Sequence, residues 1–298
     1  MCGIVGIYYK NKSLSNNLGA SLAAMLVEMS DRGPDSAGVA IYREPQESGT
    51  MKVSLYSASL QDWAALASEL GAILEKTVEF TVHSTHALFV MPDTDFGLLA
   101  WLQENHPEIR LMSAGQAIEI YKEKGLPHDF VKQFKLSEFS GSHALGHTRM
   151  ATESAVTTEH SHPFSTGLDL CLVHNGSLSN HNRLRRKLRR HGVLIQTDND
   201  SEVAAGYLMW RLREGDSLEE ALDNALRDLD GFYTLAIGTR DGFAVLRDPI
   251  ACKPAVLAET DDWVAMASEF RAIAQLDGVE HAKIWEPAPA TVYTWGAQ

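Results

Sequence analysis

The chain opens on MCGIVGIYY, residues 1–9. A thiol stands second, behind Met1, and an apolar stretch follows from Ile4 to Tyr9. Apolar, β-branched residues in so short a run read as a strand over residues 3–9. Chain ends are usually loose and polar, so this start is unusual. Cys2 admits two readings. It is a small apolar residue on a first strand, since free cysteines behave as small hydrophobes. Or Met1 is removed, as a small second side chain favours, and Cys2 carries a thiol and a free α-amine on one residue. The remaining sequence has to decide.

A length of 298 residues with 45% hydrophobic and 22% charged residues is ordinary for a globular protein, as one large domain or two small ones. A net charge of −13 leaves no basic excess to displace counterions, which excludes a general nucleic-acid binder. One basic run stands out: Arg183, Arg185, Arg186, Lys187, Arg189 and Arg190, interrupted by Leu184 and Leu188 and followed by Gly192. It reads as a short amphipathic helix with a glycine stop. Its basic face is either solvated or a docking patch for an acidic partner. The three cysteines, Cys2, Cys171 and Cys252, have no metal or disulfide spacing. That use fits a reducing compartment. No signal segment or membrane-length apolar run is seen, so the expectation is a cytoplasmic chain with no membrane association.

Helical spacing of Leu18, Leu22, Met25, Leu26 and Met29 predicts a helix over 16–30. A loop, DRGPDSAG (31–38), and a strand over 37–42 follow. Residues 57–140 read as an inserted α/β unit: a helix through Leu60, Trp63, Leu66 and Leu70, a strand from Phe80 to Met91, a helix through Phe96, Leu99 and Leu102, a strand over 118–121, and a short helix at 130–134. His83, His86, His106 and His128 in this unit fit no familiar metal spacing. Further on, 202–212 and 217–229 read as helices, and FYTLAIG (232–238) and GFAVLRD (242–248) as paired strands. Strand-rich ends with helices between them predict an α+β fold.

Four short stretches are dense in unusual polar residues: DRGPDSAG (31–38), GHTRMAT (146–152), VHNGSLSN (173–180) and TDNDSEV (197–203). Each has a plain reading. Asn175-Gly176 makes a turn, Arg149 an ion pair, and Asp198, Asp200 or Ser201 a helix cap. The Asp198, Asp200, Glu202 spacing lacks the glycine and later glutamate of an EF-hand, so no metal is expected. Set beside Cys2, the stretches make one site. A nucleophilic thiol needs a base, and an α-amine titrates at about 7.7–8.0, close to a thiol's value of about 8.5. An N-terminal cysteine therefore brings its own base, and His147, His162 and His174 are not required for that role. An Asn amide and a Gly backbone N–H are an oxyanion pair, met at Asn175 and Gly176. An amino-acid substrate needs an Arg for its carboxylate and an acid for its ammonium, met at Arg149 and Asp200.

This pattern resembles the class II, N-terminal-nucleophile glutamine amidotransferases. Cys2-Gly3-Ile4-Val5-Gly6 looks like that family's mature start, and Arg32-Gly33-Pro34-Asp35-Ser36-Ala37-Gly38 resembles its RGxDSAG loop. Gly146-His147-Thr148-Arg149, His162-Pro163, His174-Asn175-Gly176 and Asp200-Ser201-Glu202 match further family segments in order. The resemblance implies a four-layer αββα sandwich filling 1–298 as a single domain, with the 57–140 insertion. It implies Cys2, Asn175 and Gly176 as catalytic, Arg149, Asp200 and Thr152 as substrate-binding, and Arg32 and His162 as supporting. Met150 departs from the Trp of many relatives, and Glu153 from the His of glucosamine-forming ones.

The implied reaction is hydrolysis of L-glutamine to glutamate and ammonia through a Cys2 thioester. The whole chain is most similar to the separate glutaminase subunits of glutamate-synthase-like systems, N-methylglutamate synthase included. No Rossmann or P-loop glycine pattern or cysteine cluster is seen, so no cofactor is expected on this chain. The ammonia would go to a separate, flavin-bearing synthase subunit, docked through the 57–140 insertion or the 183–190 helix. Two alternatives remain: an N-terminal-nucleophile hydrolase of another amide, and a non-catalytic glutamine-sensing subunit.

Overall fold

The computed structural model describes residues 2–94, 97–150 and 156–296. Met1, Phe96, Thr152 and Glu153, singled out above, lie outside the described residues. Along the chain come strand β1 (Gly3–Tyr9), helix α1 (Leu18–Glu28), β2 (Ser36–Tyr42), β3 (Thr50–Ser57), α2 (Trp63–Leu74), β4 (Glu79–His83), β5 (His86–Pro92), α3 (Leu98–Asn105) and β6 (Ile109–Gly115). Next are β7 (Ile118–Lys124), α4 (Pro127–Gln133), β8 (His143–Arg149), β9 (Phe164–Ser165), β10 (Cys171–Leu178), α5 (His181–Arg190), α6 (Asp200–Arg213) and α7 (Leu218–Asp228). The chain closes with β11 (Gly231–Thr239), β12 (Gly242–Arg247), β13 (Val256–Glu259), β14 (Trp263–Ala267), α8 (Phe270–Ile273), β15 (Lys283–Trp285) and β16 (Thr291–Gly296).

Among the described residues, the first sheet runs β15-β13-β14-β1-β8-β2-β7 and the second β16-β12-β11-β10-β9. Their strands pair antiparallel. Alternation along each strand decides what each face meets. On β1, Val5, Ile7 and Tyr9 join α1 and α4 side chains such as Leu22, Leu26 and Phe130. Ile4 faces the other way, with Leu145 of β8, and packs with Val173, Ala236 and Phe243 of the second sheet. The outer face of that sheet, Leu172, Leu235 and Leu246, is covered by Leu188 of α5, Leu208 of α6 and Leu222 of α7. The layers are therefore helix, sheet, sheet, helix. β1 is apolar throughout because it is buried on both faces. Truncating one such fully buried side chain costs about 2–5 kcal/mol.

A third sheet, β4-β5-β3-β6, carries α2 and α3 on a core of its own that includes Leu55, Leu70, Phe89 and Leu102. It begins at Thr50 and ends at Gly115, whereas the sequence placed the unit at 57–140. β7 instead pairs with β2 in the first sheet, and Phe130 and Phe134 of α4 pack under it. The strand expected from Phe80 to Met91 is a hairpin, because Ser84 takes a left-handed φ of 58° and folds β5 back on β4. Polar contacts tie this unit to the sandwich. Lys52 of β3 reaches Glu119 of β7 at 3.0 Å, both buried. The Asp169 carboxylate accepts the N–H groups of Gln116, Ala117 and Ile118 at the β6–β7 turn.

Candidate active site

The first residue of the first strand sits where the two large sheets meet. Gly3 pairs with Thr148 of β8, so half-buried Cys2 stands beside the end of β8 that carries Arg149. Ile4 fixes the strand: its N–H donates to Ser268 Oγ at 2.9 Å, and its carbonyl accepts the Ser268 N–H at 2.9 Å. Two side chains converge on the Cys2 carbonyl. Arg32 Nε donates to it at 3.1 Å, and Asn175 Nδ2 at 3.4 Å. Arg32 is buried and bound to Glu269 at 2.5 Å. That hydrogen bond holds the Glu269 carboxyl below the usual glutamate range. Gly33 lets this loop lie on β8: a Cβ there would stand 2.3 Å from the Thr148 carbonyl carbon.

Asn175 and Gly176 lie in β10, paired with Thr234 and Tyr233 of β11. They are strand residues, not a turn. Gly176 has a φ of 152°, and a Cβ would stand 2.0 Å from the Phe232 carbonyl oxygen. No other residue fits this close approach. Past Gly176, the Leu178 N–H donates to Asp200 Oδ2 at 2.9 Å. The cap of α6 is Asn199, whose side chain accepts the Ser201 N–H, in place of the Asp198, Asp200 or Ser201 expected. Asp200 is thereby free of capping and turns back toward β10.

Behind Asn175 lies a buried polar relay. Ser201 Oγ donates to Asp200 Oδ1 at 3.3 Å. His162 Nε2 and His174 Nδ1 each lie 2.8 Å from the same oxygen. With its one proton given to Asp200, that oxygen accepts from both rings. Their remaining nitrogens, His162 Nδ1 and His174 Nε2, have no partner among the described residues. His147 stacks on His162 with ring centroids 4.0 Å apart and donates from Nε2 to the His174 carbonyl at 3.2 Å. Burial pushes all three imidazoles down, His147 to about 3, although Asp200 pulls His174 the other way. Neutral and engaged, these rings brace the Asn175 strand and make poor bases at neutral pH.

Arg149 ends β8, buried, with Nη1 donating to the His160 carbonyl at 3.3 Å. Asn199 Nδ2 reaches the same oxygen at 3.4 Å. The structure thus gathers Cys2, Arg32 and Asn175 on one carbonyl, with Arg149 at the adjoining strand end. Asp200 lies beyond Asn175, and His162 sits behind on Ser201. Thr152 lies outside the described residues. Among the described residues, no group of three or more His, Cys, Asp or Glu could hold a metal ion.

Comparisons with known proteins bear on this site. The family model described as a glutamine amidotransferase domain matches residues 147–275. The glutamine amidotransferase-like protein GlxB of Rhizobium meliloti (strain 1021) is 53% identical over 300 residues, covering 100% of this chain and 99% of the relative. The chain belongs to the glutamine amidotransferase family. A putative glutamine amidotransferase of Methanothermobacter thermautotrophicus is 30% identical to this amidotransferase, covering 98% of it and 99% of the relative. The solved glutamine phosphoribosylpyrophosphate amidotransferase of B. subtilis, complexed with ADP and GMP, shares the fold, with a TM-score of 0.63 at 20% identity. The match covers 99% of the amidotransferase but 47% of that longer chain. The αββα architecture expected from the motifs is the one observed.

One part of the site escaped the motifs: Glu269 is 237 residues from Arg32, too far for any local pattern. Ser201 stands within the Asp200-Ser201-Glu202 segment, but its hydroxyl reads in the sequence as a cap and not as the partner of two imidazoles.

Among the described residues, no helix is long and apolar enough to cross a membrane.

Proposed function

We propose that the amidotransferase hydrolyses L-glutamine through a thioester on Cys2 and passes ammonia to a separate synthase subunit. The observation that carries this reading is the convergence of Arg32, from the turn before β2, and Asn175, from β10 of the second sheet, on the carbonyl of Cys2. It fixes the Cys2 backbone at the junction of the two large sheets.

With Met1 removed, the Cys2 α-amine takes the thiol proton, and the thiolate attacks the glutamine side-chain amide carbon. The oxyanion is met by the Asn175 side-chain amide and the Gly176 backbone N–H. One such donor is worth roughly 3 kcal/mol in other enzymes. The α-ammonium returns its proton to the leaving nitrogen, ammonia departs, and the γ-glutamyl thioester remains. Water, giving its proton to the α-amine, releases glutamate and the thiol. Arg149 and Thr152 bind the substrate's carboxylate end and Asp200 its ammonium, while Arg32 and His162 brace the site.

Ammonia released at neutral pH is mostly protonated and no longer nucleophilic, which favours direct transfer within a complex. The partner proposed is a flavin-bearing synthase of glutamate-synthase or N-methylglutamate-synthase type, with no cofactor on this chain. Its docking surfaces are the third sheet and the exposed cations Arg183, Arg186, Lys187, Arg189 and Arg190 of α5.

Intact and peptide masses after treatment with a diazo-ketone analogue of glutamine test the chemistry. A single adduct on Cys2 of a chain lacking Met1 is expected. A retained Met1, or an adduct elsewhere, defeats the mechanism. Cys2→Ala should abolish glutaminase activity, and surviving activity would mean another nucleophile. Purification of the native complex should bring down a larger flavoprotein; a native chain found alone defeats the partner assignment.

A further inference from the structure

Among the described residues, the structure holds a buried lysine that forms no ion pair. Lys122, on β7, is nearly inaccessible to solvent, and among the described residues no carboxylate pairs with it. An ammonium removed from water is costly unless its protons are all accepted. Here they are, by backbone. Nζ donates to the carbonyls of Ser161 at 2.8 Å, Pro163 at 3.2 Å and Glu159 at 3.4 Å. The Phe164 ring lies under it, 4.6 Å to the centroid. Three N–H donors meet three carbonyls, which exhausts the group.

The carbonyls that do not turn to Lys122 show what the arrangement serves. Between the Glu159 and Ser161 oxygens, the His160 carbonyl accepts from Arg149 Nη1 at 3.3 Å and from Asn199 Nδ2 at 3.4 Å. Asn199 caps α6 one residue before Asp200. His162, between Ser161 and Pro163, engages Ser201 and stacks on His147. The carbonyls of Glu159, Ser161 and Pro163 thus face the ammonium, while the His160 carbonyl and the His162 ring face the site. Thr158 Oγ1 donates to Glu123 Oε1 and Ser161 Oγ to Ser36 Oγ, fastening the segment's neighbours to the same sheet.

We propose that Lys122 is a positioning residue for substrate recognition: its ammonium shapes the 159–163 segment that aims Arg149, and through Asn199 the start of α6, at the α-groups of the amino-acid substrate. This rests on the proposed role of Arg149 as the carboxylate binder. Lys122 touches neither substrate nor Cys2. Burial also pushes its ammonium down to about 8, with Glu202 and Glu159 pulling the other way. The His86 ring accepts its backbone N–H. Burial outweighs the pull of the two glutamates.

The test compares two reagents on Cys2. A diazo-ketone analogue of glutamine carries the α-groups, and iodoacetamide does not. The ratio of their inactivation rates reads recognition separately from thiol reactivity. Lys122→Met should lower that ratio on the order of tenfold, since misplacement by about 1 Å is enough for such losses. It should raise KM for glutamine more than it lowers kcat, with iodoacetamide alkylation unchanged. A folded variant with an unchanged ratio overturns the proposal. Should that variant fail to fold, Phe164→Leu decides, because it removes the ring beneath the ammonium, together with that ring's edge contact to His162. A ratio reduced roughly threefold supports the proposal, and an unchanged one overturns it. Arg149→Met separates the two claims. If it leaves the ratio unchanged, the carboxylate assignment falls and the Lys122 role with it. If it lowers the ratio while neither Lys122→Met nor Phe164→Leu does, the Lys122 role alone falls.

Discussion

Two cations hold the two ends of this site, and they are set in opposite ways. Arg32, at the Cys2 end, is buried but reaches Glu269, whose side chain keeps 34% of its exposure. Lys122, behind Arg149, is deeper and among the described residues meets carbonyls and a ring. A guanidinium fork suits the first place, since one N–H must reach the Cys2 carbonyl while another grips a carboxylate. An ammonium suits the second, since three converging carbonyls surround a point charge. The difference teaches that one end is fixed by ion pairing near the rim and the other by backbone saturation in the interior. The two should therefore fail under different conditions.

The largest separation is expected in alkali. The folded protein holds Lys122 at about 8, and the unfolded chain returns it to 10.5. Between these values the unfolded chain binds more protons, so this group adds stability as pH rises. The cost of burying the ammonium is fully present below about 8 and has been relieved by about 10.5. That depression corresponds to about 3 kcal/mol. Urea unfolding of wild type and Lys122→Met at about pH 7 and about pH 10.5 should show the gap between them shifting toward the wild type by that order. A gap that does not move with pH would make Lys122 no different from an ordinary exposed lysine and break the comparison.

The Cys2 end should answer through the nucleophile instead. Arg32→Met removes a charged donor from the Cys2 carbonyl and leaves the Asn175 contact alone. Hydrogen bonds to charged groups contribute about 1.5–3 kcal/mol, so kcat/KM should fall roughly ten- to hundredfold. Unlike Lys122→Met, this variant should also change the rate at which iodoacetamide labels Cys2. Equal labelling in Arg32→Met and wild type would show that the carbonyl contact does not position the thiol.

These ends were unequally legible in the sequence. The Arg32, Arg149, Asn175 and Asp200 stretches stood out because polar residues and glycines clustered where regular elements should be apolar. Gly33 and Gly176 are there because backbones approach within a Cβ's reach. Their assembly around Cys2 follows from strand order, which pairs Gly3 with Thr148 and turns both sheets inward. Lys122 gives no such signal. It sits in IEIYKEK, which reads as a strand with a polar, solvated end, and only the covering 159–164 segment makes it interior. Ser84 likewise hid the β4–β5 hairpin, since nothing in VHSTHA marks a serine as left-handed. The boundary at 57 left out β3, whose alternation at Met51, Val53 and Leu55 is present but flanked by Lys52 and Ser54. These two are polar yet buried against β7, at Glu119 and Ile120. Polar residues between packed sheets mimic a solvent face, and the alternation then loses its meaning.

The smallest effect tests the rim carboxylate, which pairs with both Arg32 and Arg271. Glu269→Gln keeps an acceptor for Arg32 and removes the charge. Because Arg32 holds the carboxyl below its ordinary value of 4.5, the pairing is fully present above that value. It is lost as pH falls through the lower folded value. The wild type should therefore melt slightly above Glu269→Gln near neutrality, by less than about 1 kcal/mol given the exposed carboxylate. The two should converge in acid. Cys2 labelling should stay near wild type, because the Arg32 Nε–H still reaches the Cys2 carbonyl. A loss in Glu269→Gln as deep as in Arg32→Met would place the carboxylate charge, and not the donated hydrogen bond, as what fixes the nucleophile's end of the site.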